Sequence, residues 1–372
     1  MTDSVAASHV PAPTPSAQPA ARIPVVIDVD TGIDDSLALL YACASPEIEV
    51  LAVTCVGGNV DARQVATNTR AVLELAGRTD IPVALGREQP LRKAMETAAD
   101  THGPQGIGHA VLPPPSRGLE PDEAADRLIS LARAQPGEVL LVTLGPLTNL
   151  AVALGREPRL PRLLRGYTLM GGAYGVPGNT SPTTEWNIHV DPDAAKAVFA
   201  AWAAAAQGDP GVSLPLAMGL DVTELARFLP EHIAALARRA GATDADAAAT
   251  GSDPIIARGT AAANPVVGFI VDALRFYFEF HARYDGFYGA FIHDPFAVAA
   301  AIDRALVRTR ALPVDVETGP GLAHGMTVAD WRGLTGRPPN LDVAVEADAE
   351  TFFERFIDRV ARLAAERSGV AR

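Results

Sequence analysis

The sequence predicts an α/β protein: one domain with a mainly parallel central sheet and helices on both faces. Three observations point there. Short, apolar, β-branched runs recur along the chain. Stretches with helical periodicity separate them. Polar residues gather just after the apolar runs, where the carboxyl ends of parallel strands form sites.

The elements follow in order. Ile23 to Ile27 is a buried-strand run. A polar, Gly-containing turn leads to a helix over Ser36 to Ala44, and Val50 to Val56 reads as the second strand. Residues 61–76 are amphipathic, with Gly77 as the stop. Ile81 to Leu85 is a third strand, 122–134 a helix, Val139 to Leu144 a strand and 147–154 the start of a helix. Tyr167 to Met170 is again a strand and 192–206 a helix. The second half reads as more helical, with helices over 223–240 and 264–283. The latter runs into an aromatic-rich stretch, 276–291, expected to form a lid with Tyr277, Tyr284 and Tyr288 as its polar members. Residues 241–253 are rich in Ala, Asp and Gly and read as an insertion. No internal repeat is visible.

Bulk properties narrow the function. With 372 residues, 48% hydrophobic and 20% charged, the composition is that of a globular enzyme-sized chain. A net charge of −13 without a basic cluster argues against binding a nucleic-acid backbone, which demands the opposite sign. No apolar run reaches membrane-spanning length. The two cysteines, Cys43 and Cys55, lie in apolar stretches and read as reduced core residues, which makes the cytoplasm the expected compartment. Residues 1–22 are an Ala/Pro-rich tail without the charged and apolar regions of a secretory signal. The tail is read as disordered, and 23–372 as the domain.

The loop after the first strand carries the chemistry. Asp28, Asp30, Asp34 and Asp35 fall within eight residues. Left unpaired and buried, such carboxylates repel each other and their pKa values rise. A cation relieves this, and all-oxygen ligation suits a hard ion, Ca²⁺ or Mg²⁺. An acidic loop that only caps a helix would use the same residue types. The placement of Asp28 at the very end of a buried strand favours the cation site. Haloacid dehalogenase-type phosphatases also place Asp-x-Asp after their first strand, but Gly32 and the second Asp pair fit them poorly. The chain's two lysines, Lys93 and Lys196, lie in no convincing phosphate motif.

The stretch Asp28-Val29-Asp30-Thr31-Gly32-Ile33-Asp34-Asp35 resembles the opening signature of the inosine–uridine-preferring nucleoside hydrolases. Further stretches match in the family's order: Val53 to Val60, His102-Gly103 with Gly106 to Gly108, Leu144 to Leu150, and Leu169 to Ala173. Gly178-Asn179, Glu185 to Asn187, Asp191-Pro192, Asp221 to Thr223, His293 to Pro295, Val316 to Gly319 and Pro339-Asn340 continue the series. The resemblance spans about residues 23–360 and implies that family's Rossmann-like fold.

The resemblance also implies an activity. Ribonucleosides would be hydrolysed to ribose and free base by a calcium-bound water that Asp30 activates, in nucleobase salvage. Asp30, Asp35, Asp294 and the carbonyl of Leu144 would hold the ion, with Asp28 behind them. Asp34, Asn59, Met170, Asn179, Glu185 and Asn187 would hold the substrate. His293 would be the acid for the departing base, with His102 near the base and His281 a further possible contact. Asymmetric base-side features, such as Trp186 where Phe is usual and Gln105 where an acid is frequent, leave the preferred base open. A homodimer or homotetramer is expected by resemblance. The remaining alternative is a catalytically silent nucleoside- or ribose-binding protein on the same scaffold.

Overall fold

The computed structural model describes residues 21–242 and 264–368. Most of the Ala/Pro-rich tail and of the 241–253 insertion lies outside the described residues.

Six strands run in parallel: β1 (Ile23–Val29), β2 (Ile48–Cys55), β3 (Val83–Leu85), β4 (Leu140–Thr143), β5 (Gly166–Met170) and β6 (Leu216–Met218). A short antiparallel pair, β7 (Arg227–Phe228) with β8 (Ala290–Phe291), stands apart from them. Strand β9 (Val307–Leu312) precedes a second such pair, β10 (Val314–Val316) with β11 (Thr327–Ala329). The last strand, β12 (Leu341–Ala347), lies parallel to β6 and antiparallel to β9. The main sheet has eight strands in the order β3-β2-β1-β4-β5-β6-β12-β9. The chain winds outward from β1 in one direction and from β4 in the other. The seam between them is a topological switch point, where open α/β sheets form a crevice at the carboxyl ends.

Strand β1 shows why both faces are covered. Its alternate side chains Val25, Ile27 and Val29 join one apolar core, which includes Leu37, Phe296, Phe352 and Phe356. Val26 points the other way, into a second core with Leu141, Leu150, Phe199 and Trp202. A strand apolar on both faces has to be sandwiched. Each large side chain so buried contributes roughly 1.5–3 kcal/mol.

The structure departs from the sequence reading in three places. The helix expected over 223–240 is instead the end of a one-turn helix at Leu220–Thr223, strand β7, and a helix from Pro230 to Arg239. Proline fixes its own φ and forces the preceding residue to be extended, and Leu229 is extended, with φ −112° and ψ 166°. The third strand begins at Val83 rather than Ile81, because Pro82 has no N–H to give the ladder. The second half also holds more strand than expected. Strand β12, Leu-Asp-Val-Ala-Val-Glu-Ala, has the alternation that marks one.

Candidate functional site

Asp28 and Asp30 lie at the carboxyl end of β1, beside the ends of β2 and β4. Asp28 Oδ1 accepts from the Thr54 hydroxyl and, at 2.8 Å, from Asn149 Nδ2. Asn149 Nδ2 also donates to the Cys55 carbonyl, and its Oδ1 accepts from the Arg87 N–H. This one amide therefore pins β1, β2 and the loop after β3 together. The chain then turns at Gly32 into the helix Ile33–Cys43, whose first turn contains Asp34 and Asp35. Asp35 reaches back: its two oxygens accept from the Asp30 and Gly32 N–H groups, at 3.2 and 2.8 Å. Asp30 Oδ2 accepts from the Asn59 N–H at 2.9 Å.

Two glycines make room for Asp30. A Cβ on Gly58 would collide with its carboxylate, and one on Gly145 would lie 2.8 Å from Oδ1. Asp294 arrives from far along the chain in the first turn of the helix His293–Ile302. Asp34, Asp35 and Asp294 approach closely enough to share one ion, with ligand atoms within 4.8 Å of one another. The sequence reading had Asp30 rather than Asp34 in that group; Asp30 lies alongside the three, near enough to raise the proton affinity of Asp294.

These carboxyls are all buried. Burial above all, then the charge of Asp35, pushes the Asp34 carboxyl up to about 8. Burial raises Asp30 well above the ordinary range, with the charge of Asp35 adding to it, and raises Asp294 likewise, with Asp34 next. Asp35 rises through burial, against hydrogen bonds that favour its ionised form. Asp28 is pushed by burial up to about 7. Among the described residues no lysine or arginine lines the adjoining cavity. The buried Oδ1 of Asn59 and Oδ2 of Asp28 have no hydrogen-bond partner among the described residues. An all-oxygen set that cannot be ionised together without a cation is chemically suited to a hard divalent ion.

The cavity above has a volume of about 530 Å³. It gathers nearly every residue singled out from the sequence: Asp30, Asp34, Asn59, His102, Leu144, Met170, Asn179, Glu185, Asn187, His293 and Asp294 all line it. Asn187 Nδ2 donates to the Leu144 carbonyl at 2.6 Å and to that of Met170 at 3.2 Å. Glu185 is anchored more firmly than the sequence suggested. Its carboxylate caps the short helix Trp186–Val190 and accepts from the Asn187, Ile188 and Gly172 N–H groups. Asn179 is exposed at the mouth and accepts from the Trp186 N–H.

Tyr277, Phe280, His281, Tyr284, Asp285, Phe291 and Glu224 also line the cavity. The expected aromatic lid is mostly helix, since Pro265–Tyr284 is continuous. Tyr277 is a buried wall rather than a flap. Tyr288 does not line the cavity; it packs edge-on against Phe278 at 5.3 Å. The sequence reading did not single out Asp285 and Phe291 within the aromatic-rich stretch 276–291, nor Glu224, nor the space-making role of Gly58 and Gly145. His109, His189 and His232, given no role there, are held by Glu279, by Glu96 and by the Leu229 N–H.

The chain is similar to known proteins over most of its length. Residues 25–354 match the family described as inosine-uridine preferring nucleoside hydrolase. The chain is 36% identical over 340 residues to an uncharacterised protein of Schizosaccharomyces pombe, covering 91% of this chain and 99% of that one. It is 35% identical over 342 residues to the pyrimidine-specific ribonucleoside hydrolase RihA of an Enterobacter species, covering 91% and 98%. Among solved structures, the purine-preferring ribonucleoside hydrolase from Gardnerella vaginalis superposes with a TM-score of 0.79 at 29% identity, over 92% of this chain and 99% of that one. The acidic crevice at the switch point and the length of these matches set aside the phosphatase and silent-binder alternatives: the chain belongs to the inosine-uridine preferring nucleoside hydrolases and hydrolyses the N-glycosidic bond of ribonucleosides to ribose and free base.

Proposed function

We propose that the reaction is calcium-dependent, with Asp30 as the general base. The observation that carries this is the burial of Asp34, Asp35 and Asp294 around one point, with Asp30 buried alongside, and without a lysine or arginine lining the cavity among the described residues. Asp30, Asp35, Asp294 and the Leu144 carbonyl would hold the ion, and Asp28, tied to Thr54 and Asn149, would steady them from behind. Bound there, calcium supplies positive charge that keeps the carboxylates ionised and fixes water and the sugar hydroxyls in place.

The residues divide the remaining work. Asp30 takes a proton from the water whose oxygen bonds to C1′ as the C1′–N bond breaks. Positive charge builds on the sugar during this step, and buried carboxylates answer it, as in glycosidases generally. Asp34 and Asn187 would hold the 2′-hydroxyl side of the ribose and Asn179 and Glu185 the 5′-hydroxyl, with Met170 near the sugar and Asn59 supporting the metal and water network. His102 and His293 face the base. A site built to bind a hydroxyl rejects the analogue lacking it, so ribonucleosides should be strongly preferred to 2′-deoxynucleosides.

The same reading carries a reducing cytoplasmic setting, supported by two free cysteines whose thiols burial pushes up to about 12. No helix among the described residues is long and apolar enough to cross a membrane. The reading also carries one catalytic domain from residue 23 onward and a homodimer or homotetramer. The relatives' names differ over pyrimidine and purine, so the preferred base is for assay to decide.

The test is release of reducing ribose from inosine, uridine, cytidine and adenosine, with calcium and after chelation. Wild type should release ribose from at least one of them. Asp30→Ala, folded by circular dichroism, should lose on the order of 10²–10⁴-fold. Wild-type turnover that survives complete chelation would remove calcium from the mechanism.

A further inference from the structure

On the hydrolase reading the cavity wall divides by task. Asp30, Asp34 and Asp294 go with the ion, and Asn179, Glu185 and Asn187 with the ribose. A linked set remains for the base: Glu224, Phe280, His281, Tyr284, Asp285 and Phe291. Its rings pack on one another, with centroids 4.7 Å apart for Phe280 and Tyr284, 5.3 Å for Phe280 and His281, and 5.0 Å for His281 and Phe291. Such faces take a planar base without reading its edge. The edge is left to the polar members. Asp285 Oδ2 is already engaged, 2.7 Å from His281 Nδ1. Glu224 is different. It is half-buried, and its carboxylate has no hydrogen-bond or ion-pair partner among the described residues. The Arg227 guanidinium lies instead over the Phe287 and Phe291 rings, 5.0 and 5.5 Å from their centres.

The backbone beneath Glu224 is fixed. Glu224 ends the one-turn helix Leu220–Thr223, and its N–H donates to the Leu220 carbonyl at 3.3 Å. Asp221 in that turn accepts from the Tyr174 and Gly175 N–H groups, and the Thr223 hydroxyl lies 2.8 Å from His293 Nδ1. Three residues beyond Glu224, Arg227 pairs with Phe291 in the β7–β8 ribbon. Glu224 is thus presented to the cavity from a backbone tied down on both sides. Its carboxylate accepts hydrogen bonds and donates none. A base seated against it removes water, and a carboxylate stripped of water without a donor in return is costly.

We propose that Glu224 selects the nucleobase by accepting a hydrogen bond from an exocyclic amino group, so that cytidine or adenosine is preferred to its oxo counterpart, uridine or inosine. The inference rests on the hydrolase reading above and names the substrate class of that same site. An amino group offsets the desolvation of the carboxylate with an N–H. A carbonyl oxygen in its place adds repulsion, and the ring N–H of an oxo base is flanked by that same oxygen. Asp285, the second carboxylate of the wall, strengthens the discrimination, because it too is an acceptor. Glu224 takes no part in the bond changes at C1′; it decides which base is held while they occur. Within each pair the two bases share a ring system and differ only at the amino or oxo group and the ring nitrogen beside it. Each pair therefore isolates this one contact.

The test measures kcat and KM for cytidine, uridine, adenosine and inosine with the calcium-loaded full chain at about pH 8, well above the ordinary carboxylate range. Wild type should favour the amino member of whichever pair it turns over by about 10-fold or more in kcat/KM, the scale of one hydrogen bond to a charged acceptor. Glu224→Gln keeps the shape but offers an N–H as well as an oxygen. It should lower kcat/KM for the amino nucleoside and raise it for the oxo one, bringing the ratio within about threefold. The loss should fall mainly on KM, because the contact is made equally before and during C1′–N cleavage. Glu224→Asp, with the charge kept on a shorter stem, should retain part of the preference. Circular dichroism checks that each variant is folded. An oxo preference or none in wild type, a ratio unchanged in Glu224→Gln, or an equal loss on both members of a pair would each overturn the proposal. The amino-to-oxo ratio bears on this inference alone, whereas failure of wild type on all four nucleosides would overturn the hydrolase reading and this inference with it.

Discussion

Asp30 owes its position to residues without side chains. Gly58 and Gly145 come from the loops after β2 and β4, and each presses its backbone against the Asp30 carboxylate. A methyl group at either place has to displace that carboxylate. Gly145→Ala should therefore fold and yet lose roughly 100-fold in ribose release, the cost of misplacing a reacting group by about an ångström; unchanged kcat would show that Asp30 has slack. Asn149 makes the complementary case. It satisfies Asp28, the Cys55 carbonyl and the Arg87 N–H at once. Asn149→Ala leaves buried polar groups unpaired, and a loss of about 1–3 kcal/mol should appear as a lower midpoint in urea. These roles were not legible in the sequence, because a glycine or asparagine there becomes meaningful only when distant strands are laid side by side.

At the level of elements, the helix Pro265–Tyr284 gives the cavity Tyr277, Phe280, His281 and Tyr284. Its start is fixed twice over. Asn264 Oδ1 accepts from the Val266 and Val267 N–H groups, and its Nδ2 donates at 2.8 Å to the Ala364 carbonyl in the C-terminal helix Ala349–Arg367. Pro265, at the first helical position, forfeits no bond. Asn264→Ala should cost about 1–2 kcal/mol through the lost cap. Thermal denaturation measures this, and the Ala364 contact should push the value to the upper end. The helix was plain in the sequence from its apolar periodicity and its aromatic stretch. Which aromatics face the cavity was not: Tyr277 and Tyr284 line it and Tyr288 packs against Phe278. A helix period fixes which residues share a face, not what that face meets.

Over the whole molecule, the switch point of the sheet is bought at the expense of stability. Carboxyl groups are concentrated where the chain is most buried. Asp28 and Asp34 hold protons up to about 7 and about 8 in the folded chain, against an ordinary value of 3.8 when unfolded. Between roughly pH 4 and pH 8 the metal-free folded state thus binds protons that the unfolded chain has released, and its stability falls as pH rises. Chelated protein should melt at a lower temperature at about pH 8 than at about pH 5. Saturating calcium should raise the melting temperature most at about pH 8, where the carboxyls are readiest to ionise, and so narrow the gap. Equal melting temperatures in chelator and in calcium at both pH values would place no ion in this cluster.

What the sequence determined by itself was the α/β class, the strand-to-loop placement of Asp28 to Asp35, and the chemistry those residues share. These are local properties. β-Branched runs, helical periods and acidic spacing are written in consecutive residues, so they can be read one stretch at a time. Tertiary structure decided the rest. It turned 223–240 into strand and helix around Pro230, and it placed β12 inside the sheet between β6 and β9. It brought Asp294 to Asp34 and Asp35 across some 260 intervening positions, and it set Asp285 against His281 Nδ1. Non-local contacts arise from which faces must be buried against each other, and that competition is settled only when the whole chain packs.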